Sequence, residues 1–380
     1  MVMPQSHRLQ EESVVRNNNI NWVGMDVHAD MIQVAVYRGE ESFPSEEYTS
    51  STDAKAKARL LKKLREMSGE VRCVYEAGPC GYDMQRYLSG NGISCEVTAP
   101  SLIPRKVGDR VKTDRRDARN LGRLYRSGEL TMIYIPDEEQ ESVRDLIRAR
   151  EDVVEDVRRK RHLLGKFLLR HGYRYSGKQW TQAHEKWIKG IEFDSKYLKA
   201  VLEEYQVGLN QTMEQLKRLT QAIEEIAVTP QYQKPAAALM TLRGVQTLTA
   251  MTILSEMGDM RRFGKAQEFM AALGLTPSEY SSGSRICRGG ITKTGNVHVR
   301  RVLVEAAWHY RHRPIAGYTI KARRKGQPLE VVSIAQKADI RLNRKYRRMV
   351  DRGKRSTTAV VATARELAGF VWAIAQNVKA

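Results

Sequence analysis

Four carboxylates in the first third of the chain stand where acidic side chains could do chemistry. Asp26 lies in the middle of a strand-like alternating run, residues 21–28, on the face opposite the apolar side chains. An isolated carboxylate is energetically costly there. Glu76 ends another predicted strand, and Asp114 and Asp117 are three residues apart on one face of a predicted helix. These positions could bring four acids together.

Four converging carboxylates repel one another and stay ionised only with a cation among them. Hard oxygen ligands favour Mg²⁺, with Mn²⁺ as the alternative. Two such ions about 4 Å apart can activate a nucleophile and stabilise the oxygen that leaves phosphorus. We therefore predict that Asp26, Glu76, Asp114 and Asp117 are catalytic metal ligands for chemistry on phosphodiesters.

Each acid except Asp26 also has an ordinary structural interpretation. An Asp at the start of a helix caps it, and a second Asp three residues on is common there, which would explain Asp114 and Asp117. Glu76 could be no more than the end of a strand. The metal-site hypothesis therefore depends on the four positions taken together.

A second candidate group lies in a glycine- and serine-rich stretch near residue 280. Ser282 precedes a glycine and is our candidate nucleophile, with Ser281 and Ser284 as alternatives. A serine hydroxyl needs a base or a metal to activate it, and no histidine is adjacent. A metal of the first domain could act here if the domains met, and we expect such a meeting between subunits. A flexible polar loop without a catalytic role is the other interpretation.

Cations surround this stretch and predict contacts with nucleic acid. Arg285, Arg288 and Lys293 could stabilise a phosphorus centre under attack. Arg300 and Arg301 follow at the start of a helix, a position that suits a phosphate. Ordinary solvated side chains remain the alternative for Lys293, Arg300 and Arg301.

Periodicity predicts the elements that must position these groups. The first part of the chain has the order of three strands, helix, strand, helix, strand, helix, which is typical of ribonuclease-H-like domains of the Holliday-junction-resolvase type. In that order the strands that carry Asp26 and Glu76 are neighbours. The predicted strands span residues 21–28, 31–38, 42–49, 71–77 and 93–98, and the predicted helices span 53–67, 82–88 and 114–127.

Two long runs with apolar residues at three- and four-residue steps follow the α/β domain. They predict an antiparallel hairpin, a dimerising coiled coil or an ordinary helical bundle. Pro230 and Pro235 mark a linker to a mainly α-helical C-terminal part. The predicted domains are a disordered lead-in (1–19), a ribonuclease-H-like catalytic domain (20–140), a helical coiled-coil or dimerisation region (141–229) and a serine-bearing domain with a basic tail (230–380).

Composition favours a polyanionic partner. The 380 residues contain 64 Lys+Arg against 44 Asp+Glu, a formal charge of +20, so the surface attracts nucleic acid. Residues 321–355 alone hold 13 Lys/Arg and 3 Asp/Glu, and either RNA or DNA would suit them. The sequence predicts no membrane span and no secretory signal. Four cysteines without zinc spacing indicate reduced thiols, so we expect a cytoplasmic protein.

Six blocks resemble the DEDD transposases of insertion sequences, a group that includes Piv-type DNA invertases and bridge-RNA-guided serine recombinases. The resemblance covers about residues 20–320 and does not extend over the basic tail. The blocks are Gly24-Met25-Asp26-Val27-His28, Tyr75-Glu76-Ala77-Gly78, residues 112–118, Gly274-Leu275-Thr276-Pro277, Ser282-Gly283 and residues 290–296.

The resemblance implies a transposase or recombinase that cuts and rejoins DNA at element and target sites in a prokaryotic cell, where it would be associated with the nucleoid. The four acids would bind Mg²⁺, and Ser282 would become covalently attached to DNA. A guide RNA encoded by the element, and a homo-oligomer such as a dimer or tetramer, are further implied partners.

Two other functions fit parts of the sequence. A metal-dependent nuclease that cleaves junctions with water would use the acids alone. A non-enzymatic scaffold that binds RNA or DNA would use only the charge, and Asp26→Asn would then change nothing.

Overall fold

The computed structural model of the chain describes residues 19–39, 41–104, 113–282 and 285–378. These residues form two compact units, divided between Ile135 and Pro136. Apart from Asn19, the predicted lead-in lies outside the described residues, as do Lys112 and the pair Gly283 and Ser284.

The first unit contains one mixed sheet of five strands, β1 (Ile20–Val27), β2 (Met31–Arg38), β3 (Glu46–Ser51), β4 (Glu70–Glu76) and β5 (Ser94–Thr98). Their order is β3-β2-β1-β4-β5. β2 is antiparallel to β1 and β3, whereas β4 is parallel to β1 and β5. The predicted start of β3 at residue 42 is wrong: the strand begins at Glu46, beyond Pro44, which has no backbone N–H to donate to a ladder.

Three helices cover the sheet, α1 (Ala54–Arg65), α2 (Asp83–Gly90) and α3 (Asp114–Arg126). On one face Leu64 of α1 and Leu88 of α2 are buried in a core with Met25. On the other face Leu121 of α3 packs in a second core with Trp22. The two faces follow from the alternation along β1, and the predicted α/β character of this part is confirmed.

The second unit is mostly helical, as predicted. Its helices are α4 (Glu138–Arg170), α5 (Gln182–Lys189), α6 (Lys196–Ala227), α7 (Pro230–Leu239), α8 (Thr247–Met257), α9 (Ala266–Ala272), α10 (Val297–Ala307), α11 (Tyr318–Arg324), α12 (Leu329–Asp351) and α13 (Ser356–Gln376). A two-stranded hairpin of β6 (Pro277–Glu279) and β7 (Arg288–Ile291) lies between α9 and α10.

The two long helices α4 and α6 run antiparallel within one chain. Arg150 Nε donates to Thr220 Oγ1 at 2.8 Å, and Lys160 Nζ donates to the Gly208 carbonyl at 2.9 Å, so positions advance along α4 as they recede along α6. Of the alternatives that the sequence left open, the described residues therefore form the antiparallel pair.

The predicted linker at Pro230 and Pro235 is instead helix α7. Pro230 occupies the first turn of the helix, where the missing N–H has no helical partner to lose. Tyr232, Ala236 and Leu239 are buried in the main core, and this burial outweighs the hydrogen bond that Pro235 cannot make. Tertiary packing thus overrides the two prolines.

Helix α13 is apolar and long enough to cross a membrane by length and composition, the single helix of this kind among the described residues. Val360, Leu367 and Val371 are fully buried in the core of the second unit, against α9, α10 and α12. Its apolar character is therefore that of a core helix.

Candidate active site

A close contact between two backbones sets the geometry of the first candidate site. A Cβ on Gly24 of β1 would lie 2.2 Å from the Ala118 carbonyl oxygen and 2.3 Å from the Gly122 nitrogen of α3. A Cβ on Gly122 would lie 2.9 Å from the Tyr37 ring. The absence of side chains at both glycines therefore lets α3 pack directly on the sheet, with its first turn near the carboxyl end of β1.

This packing brings Asp26, His28 and Asp114 together. The ligand atoms of the three side chains all lie within 4.8 Å of one another. His28 Nε2 is 3.2 Å from Asp26 Oδ2 and 3.6 Å from Asp114 Oδ1. The Asp26 side chain is 16% exposed, whereas those of His28 and Asp114 are about half exposed. The cluster is thus anchored in the sheet and open to solvent on one side.

Glu76 and Asp117, the other two predicted ligands, lie near this cluster but are not members of the group of three. The parallel pairing of Met25 with Tyr75 makes Glu76 the neighbour of Asp26 at the carboxyl ends of adjacent strands. Asp117 is close enough for its charge to act on Asp26.

The electrostatics of Asp26 favour a cation nearby. Burial raises the pKa of the Asp26 carboxyl, and the negative charges of Asp114 and Asp117 raise it further, while His28 opposes both effects. A bound cation would reverse the repulsion among these carboxylates. Two carboxylates and an imidazole form a donor set that suits a divalent metal ion, so the residues fit such an ion.

The capping interpretation of Asp114 does not hold. Thr113 is the N-cap of α3, and its hydroxyl accepts a hydrogen bond from the Arg116 N–H at 3.3 Å. Asp114 is the first residue of the helix, and its carboxylate faces His28. The side chain is therefore available to a ligand.

His28 is the residue of this cluster that the sequence left unassigned. Alternation places it on the same face of the first strand as Asp26, a pattern that could have identified it. Its distance to Asp114 depends on where α3 packs, which strand alternation cannot predict.

Ser282 lies at the tip of the β6–β7 hairpin in the second unit. The Ser282 N–H donates to the Arg285 carbonyl at 3.2 Å, and the Arg285 N–H donates to the Ser282 carbonyl at 3.1 Å. The Ser282 side chain is exposed, and no hydrogen bond to its hydroxyl is found within the described part of the chain. Ser281 differs, because its hydroxyl donates to Glu279 and accepts from the Cys287 N–H.

Two glycines hold the base of this hairpin. Gly274 has φ +61°, and a Cβ there would lie 2.3 Å from the Thr294 carbonyl oxygen. Gly295 has φ +111°, and a Cβ there would lie 2.1 Å from the Ala272 carbonyl oxygen. The hairpin therefore leaves the core between α9 and α10 on tightly packed backbone.

A buried carboxylate ties this base to helix α4. Glu256 accepts hydrogen bonds from Arg148 Nε at 2.7 Å and from Asn296 Nδ2 at 2.7 Å, while the Asn296 side-chain oxygen caps α10. Burial raises the pKa of Glu256, but the hydrogen bonds from Arg148 and Asn296 outweigh it and leave the pKa below its usual value. The sequence left this network unassigned, because its members lie on three separate helices.

The five predicted phosphate-binding cations have different surroundings. Arg300 donates to the Leu273 carbonyl at 2.8 Å, and Arg301 pairs with Glu151 and Glu305, so both have protein partners. Near the hairpin, Arg285 and Lys293 are exposed, and Arg288 is exposed but pairs with Glu279 at 3.1 Å.

Both halves of the chain match family models of transposases. Residues 236–319 match the family described as "Transposase IS116/IS110/IS902 family", and residues 23–172 match a DEDD family described as "Transposase". The chain is 43% identical over 327 residues to the "Putative transposase y4qE" of Sinorhizobium fredii, which covers 84% of this chain and 79% of that protein. It is 36% identical over 345 residues to the "Transposase for insertion sequence element IS1533" of Leptospira borgpetersenii, which covers 88% of this chain and 98% of that protein.

Proposed function

The chain belongs to the IS116/IS110/IS902 family of transposases, and we propose that it cuts and rejoins DNA at element and target sites with two groups of residues. The first group comprises the acids of the first unit, and the second is Ser282 of the hairpin. The proposal goes beyond transposase activity itself by assigning these residues their roles.

The cluster of Asp26, His28 and Asp114 is the observation that supports this proposal most directly. Asp26 and Asp114 would hold Mg²⁺ or Mn²⁺, with Glu76 and Asp117 adding negative charge around the site. His28 would orient the Asp26 carboxylate through their 3.2 Å contact or bind the ion itself. When bound, the ion would supply Lewis-acid stabilisation of charge on the scissile phosphate.

Ser282 is the proposed nucleophile. Its oxygen forms a bond to phosphorus, and the bond from phosphorus to one bridging deoxyribose oxygen breaks. The hydroxyl proton passes through solvent to the released deoxyribose oxygen, so the number of phosphoester bonds is conserved. The reverse step, with a hydroxyl from another strand, rejoins DNA. The exposed position at the hairpin tip, with no hydroxyl partner among the described residues, supports this role over that of Ser281.

We also propose a ribonuclease-H-like fold for the first unit. The strand order β3-β2-β1-β4-β5, with β2 antiparallel to its neighbours and the rest parallel, supports this assignment. In this arrangement Asp26 and Glu76 end adjacent central strands, which is where a metal site would need them.

The exposed face of α12 is our candidate for binding the DNA backbone. Ala335, Ala338 and Leu342 are buried on one side of the helix. Arg344, Arg347 and Arg348 are exposed on the other, and such a row of cations binds phosphates with release of counterions.

A guide RNA from the element and a homo-oligomer complete the proposal. The net charge of +20 supports binding of RNA as well as DNA. Exposed apolar side chains on the two long helices, Leu163, Val201 and Val207, support association between copies.

The test is a covalent-adduct assay with element-end DNA, the element's transcript and Mg²⁺. Denaturing gels should show a protein–DNA adduct for the unmodified chain and for Ser281→Ala, and none for Ser282→Ala. An adduct that survives Ser282→Ala would refute the nucleophile. Cleavage without any adduct would instead favour a nuclease that uses water.

A further inference from the structure

A cavity of about 1010 Å³ lies in the second unit between α4, α5 and the segment that joins them. This volume is at the upper end of the roughly 300–1,000 Å³ typical of ligand pockets. The lining combines aromatic rings with cationic side chains. It includes Tyr173, Tyr175, Trp180, His184 and Trp187 together with Arg158, Arg161, Lys166 and Arg174.

The rings form a packed group rather than isolated side chains. His184 and Trp187 are stacked, with ring centroids 5.6 Å apart and an interplanar angle of 15°. Tyr175 lies 5.2 Å from Trp187, and Trp180 meets His184 edge-on at 5.1 Å. Tyr175, Trp180 and Trp187 are each half-buried and keep part of their surface toward solvent. Each of these partly exposed rings can stack against another ring.

The backbone at Trp180 is held in an unusual conformation. Its φ is +60°, which is uncommon for a residue other than glycine, and its N–H donates to His184 Nδ1 at 2.9 Å. Because Nδ1 accepts this hydrogen bond, the neutral His184 ring carries its proton on Nε2. The loop is therefore a defined structure that positions the rings.

The charged side chains that line the cavity are all cationic. Its lining residues include no Asp or Glu within the described part of the chain. The Arg161 guanidinium lies 5.0 Å from the Trp180 ring, and its Nε is buried without a hydrogen-bond partner among the described residues. Arg158 pairs with Glu155 at the surface of the same helix. The described lining therefore offers an anion several cations and no competing carboxylate.

Space at the wall of the cavity is left open by Gly165. It lies inside the 33-residue helix α4, where glycine is unfavourable, and a Cβ there would meet nothing within 4 Å. No packing contact among the described residues therefore requires glycine here, and a side chain at this position would extend into open space at the cavity wall.

We propose that this cavity binds unpaired nucleotides of a single-stranded nucleic acid, with a base stacked on the aromatic group and phosphates on the surrounding cations. Every base has a face that can stack, and backbone phosphates follow the cations, which is how single-stranded nucleic acids are bound without a sequence code. Neither the acids of the first unit nor Ser282 takes part. A test of this site is therefore independent of a test of the proposed strand cleavage.

Gly165→Leu is the decisive variant, because it places a bulky side chain at the cavity wall while improving the helix. Arg158→Ala removes a lining cation, and Arg159→Ala is its matched control on the same helix outside the lining. The probes are single-stranded RNA and DNA of about 12 nucleotides, a length within the usual range of single-strand sites, and a duplex of equal length. Each single strand carries one photoreactive 4-thiouridine or 4-thiothymidine.

Fluorescence anisotropy on the full chain should show that Gly165→Leu weakens single-strand binding about tenfold, the loss expected for one stacked base, and leaves duplex binding unchanged. Arg158→Ala should weaken single-strand binding by less than tenfold. Arg159→Ala should leave single-strand binding unchanged. Photocrosslinks should map to residues 158–187. If Gly165→Leu weakens binding of one probe more than the other, that probe, RNA or DNA, is the kind of single strand that occupies the site.

The proposal would be overturned by unchanged single-strand affinity in Gly165→Leu, by crosslinks that all fall outside residues 158–187, or by equal losses for single strand and duplex. A change of oligomeric mass in Gly165→Leu without a change in binding would likewise overturn it, because the cavity would then be an interface between copies.

Discussion

The two candidate sites are built in opposite ways. Asp26 and Asp114 are held by a sheet and a helix whose backbones touch at Gly24, and Asp26 is mostly buried. Ser282 lies at an exposed hairpin tip whose rigid part is the base, at Gly274 and Gly295. A site that holds a metal needs a fixed donor geometry, whereas a nucleophile that follows DNA between strands benefits from exposure. The contrast predicts that substitutions in the packing around the first site lower its activity. At the second site, only substitution of the reacting side chain should do so.

The largest effect should come from Asp26→Asn. Loss of a direct ligand should lower strand cleavage at least about 100-fold, above the roughly 10–100-fold typical of residues that only support metal ligands. Asp30→Asn is the matched control, since Asp30 is exposed near the end of the same strand and is not part of the cluster. Single-turnover cleavage of element-end DNA measures both. Equal cleavage rates in the two variants would contradict the metal role of Asp26.

The next effect concerns packing. Gly24→Ala should destabilise the first unit by about 2 kcal/mol or more, because its Cβ would overlap the backbone of α3. Gly90→Ala, where a Cβ meets nothing within 4 Å, should be close to neutral. Thermal unfolding followed by circular dichroism compares them. If the two substitutions lower the free energy of unfolding equally, the close contact between Gly24 and α3 does not position the site.

The smallest effect should come from substitution of Glu256, the buried carboxylate at the base of the hairpin. The folded pKa of Glu256 is lowered, so its stabilising contribution is present above the pKa of the unfolded chain and is lost as pH falls through the folded value. We expect Glu256→Gln to cost about 1.5 kcal/mol near neutral pH, the lower end of the range for hydrogen bonds to a charged group, because the Gln side-chain oxygen still accepts. The cost should shrink as the pH falls below about 4.3, the ordinary pKa of a glutamate. Urea unfolding across pH measures it, and a cost independent of pH would contradict the network.

The order of strands and helices in the first unit could be predicted from the sequence, because alternation identifies strands. Asp26 could be found from its place in the middle of an alternating strand, where an isolated carboxylate is costly. The link from His28 to Asp114 could not, because it depends on how closely α3 approaches at Gly24, a tertiary contact with no local pattern.

The second unit was harder to predict for similar reasons. The strands around Ser282 are three and four residues long, too short for a periodicity. The prolines at 230 and 235 indicated a linker, yet burial of Tyr232 and Leu239 makes that segment a helix. Arg300 resembled a phosphate ligand in sequence, and only the structure places the Leu273 carbonyl against its guanidinium.

Binding of Mn²⁺ tests the central claim most directly, because it measures the metal site without requiring strand cleavage. Titration of the full chain with element-end DNA, followed by electron paramagnetic resonance of free Mn²⁺, should give a bound ion for the unmodified protein and for Asp30→Asn. Asp26→Asn and Asp114→Asn should each weaken binding at least about tenfold. Unchanged Mn²⁺ affinity in both variants would mean that these carboxylates do not hold the metal.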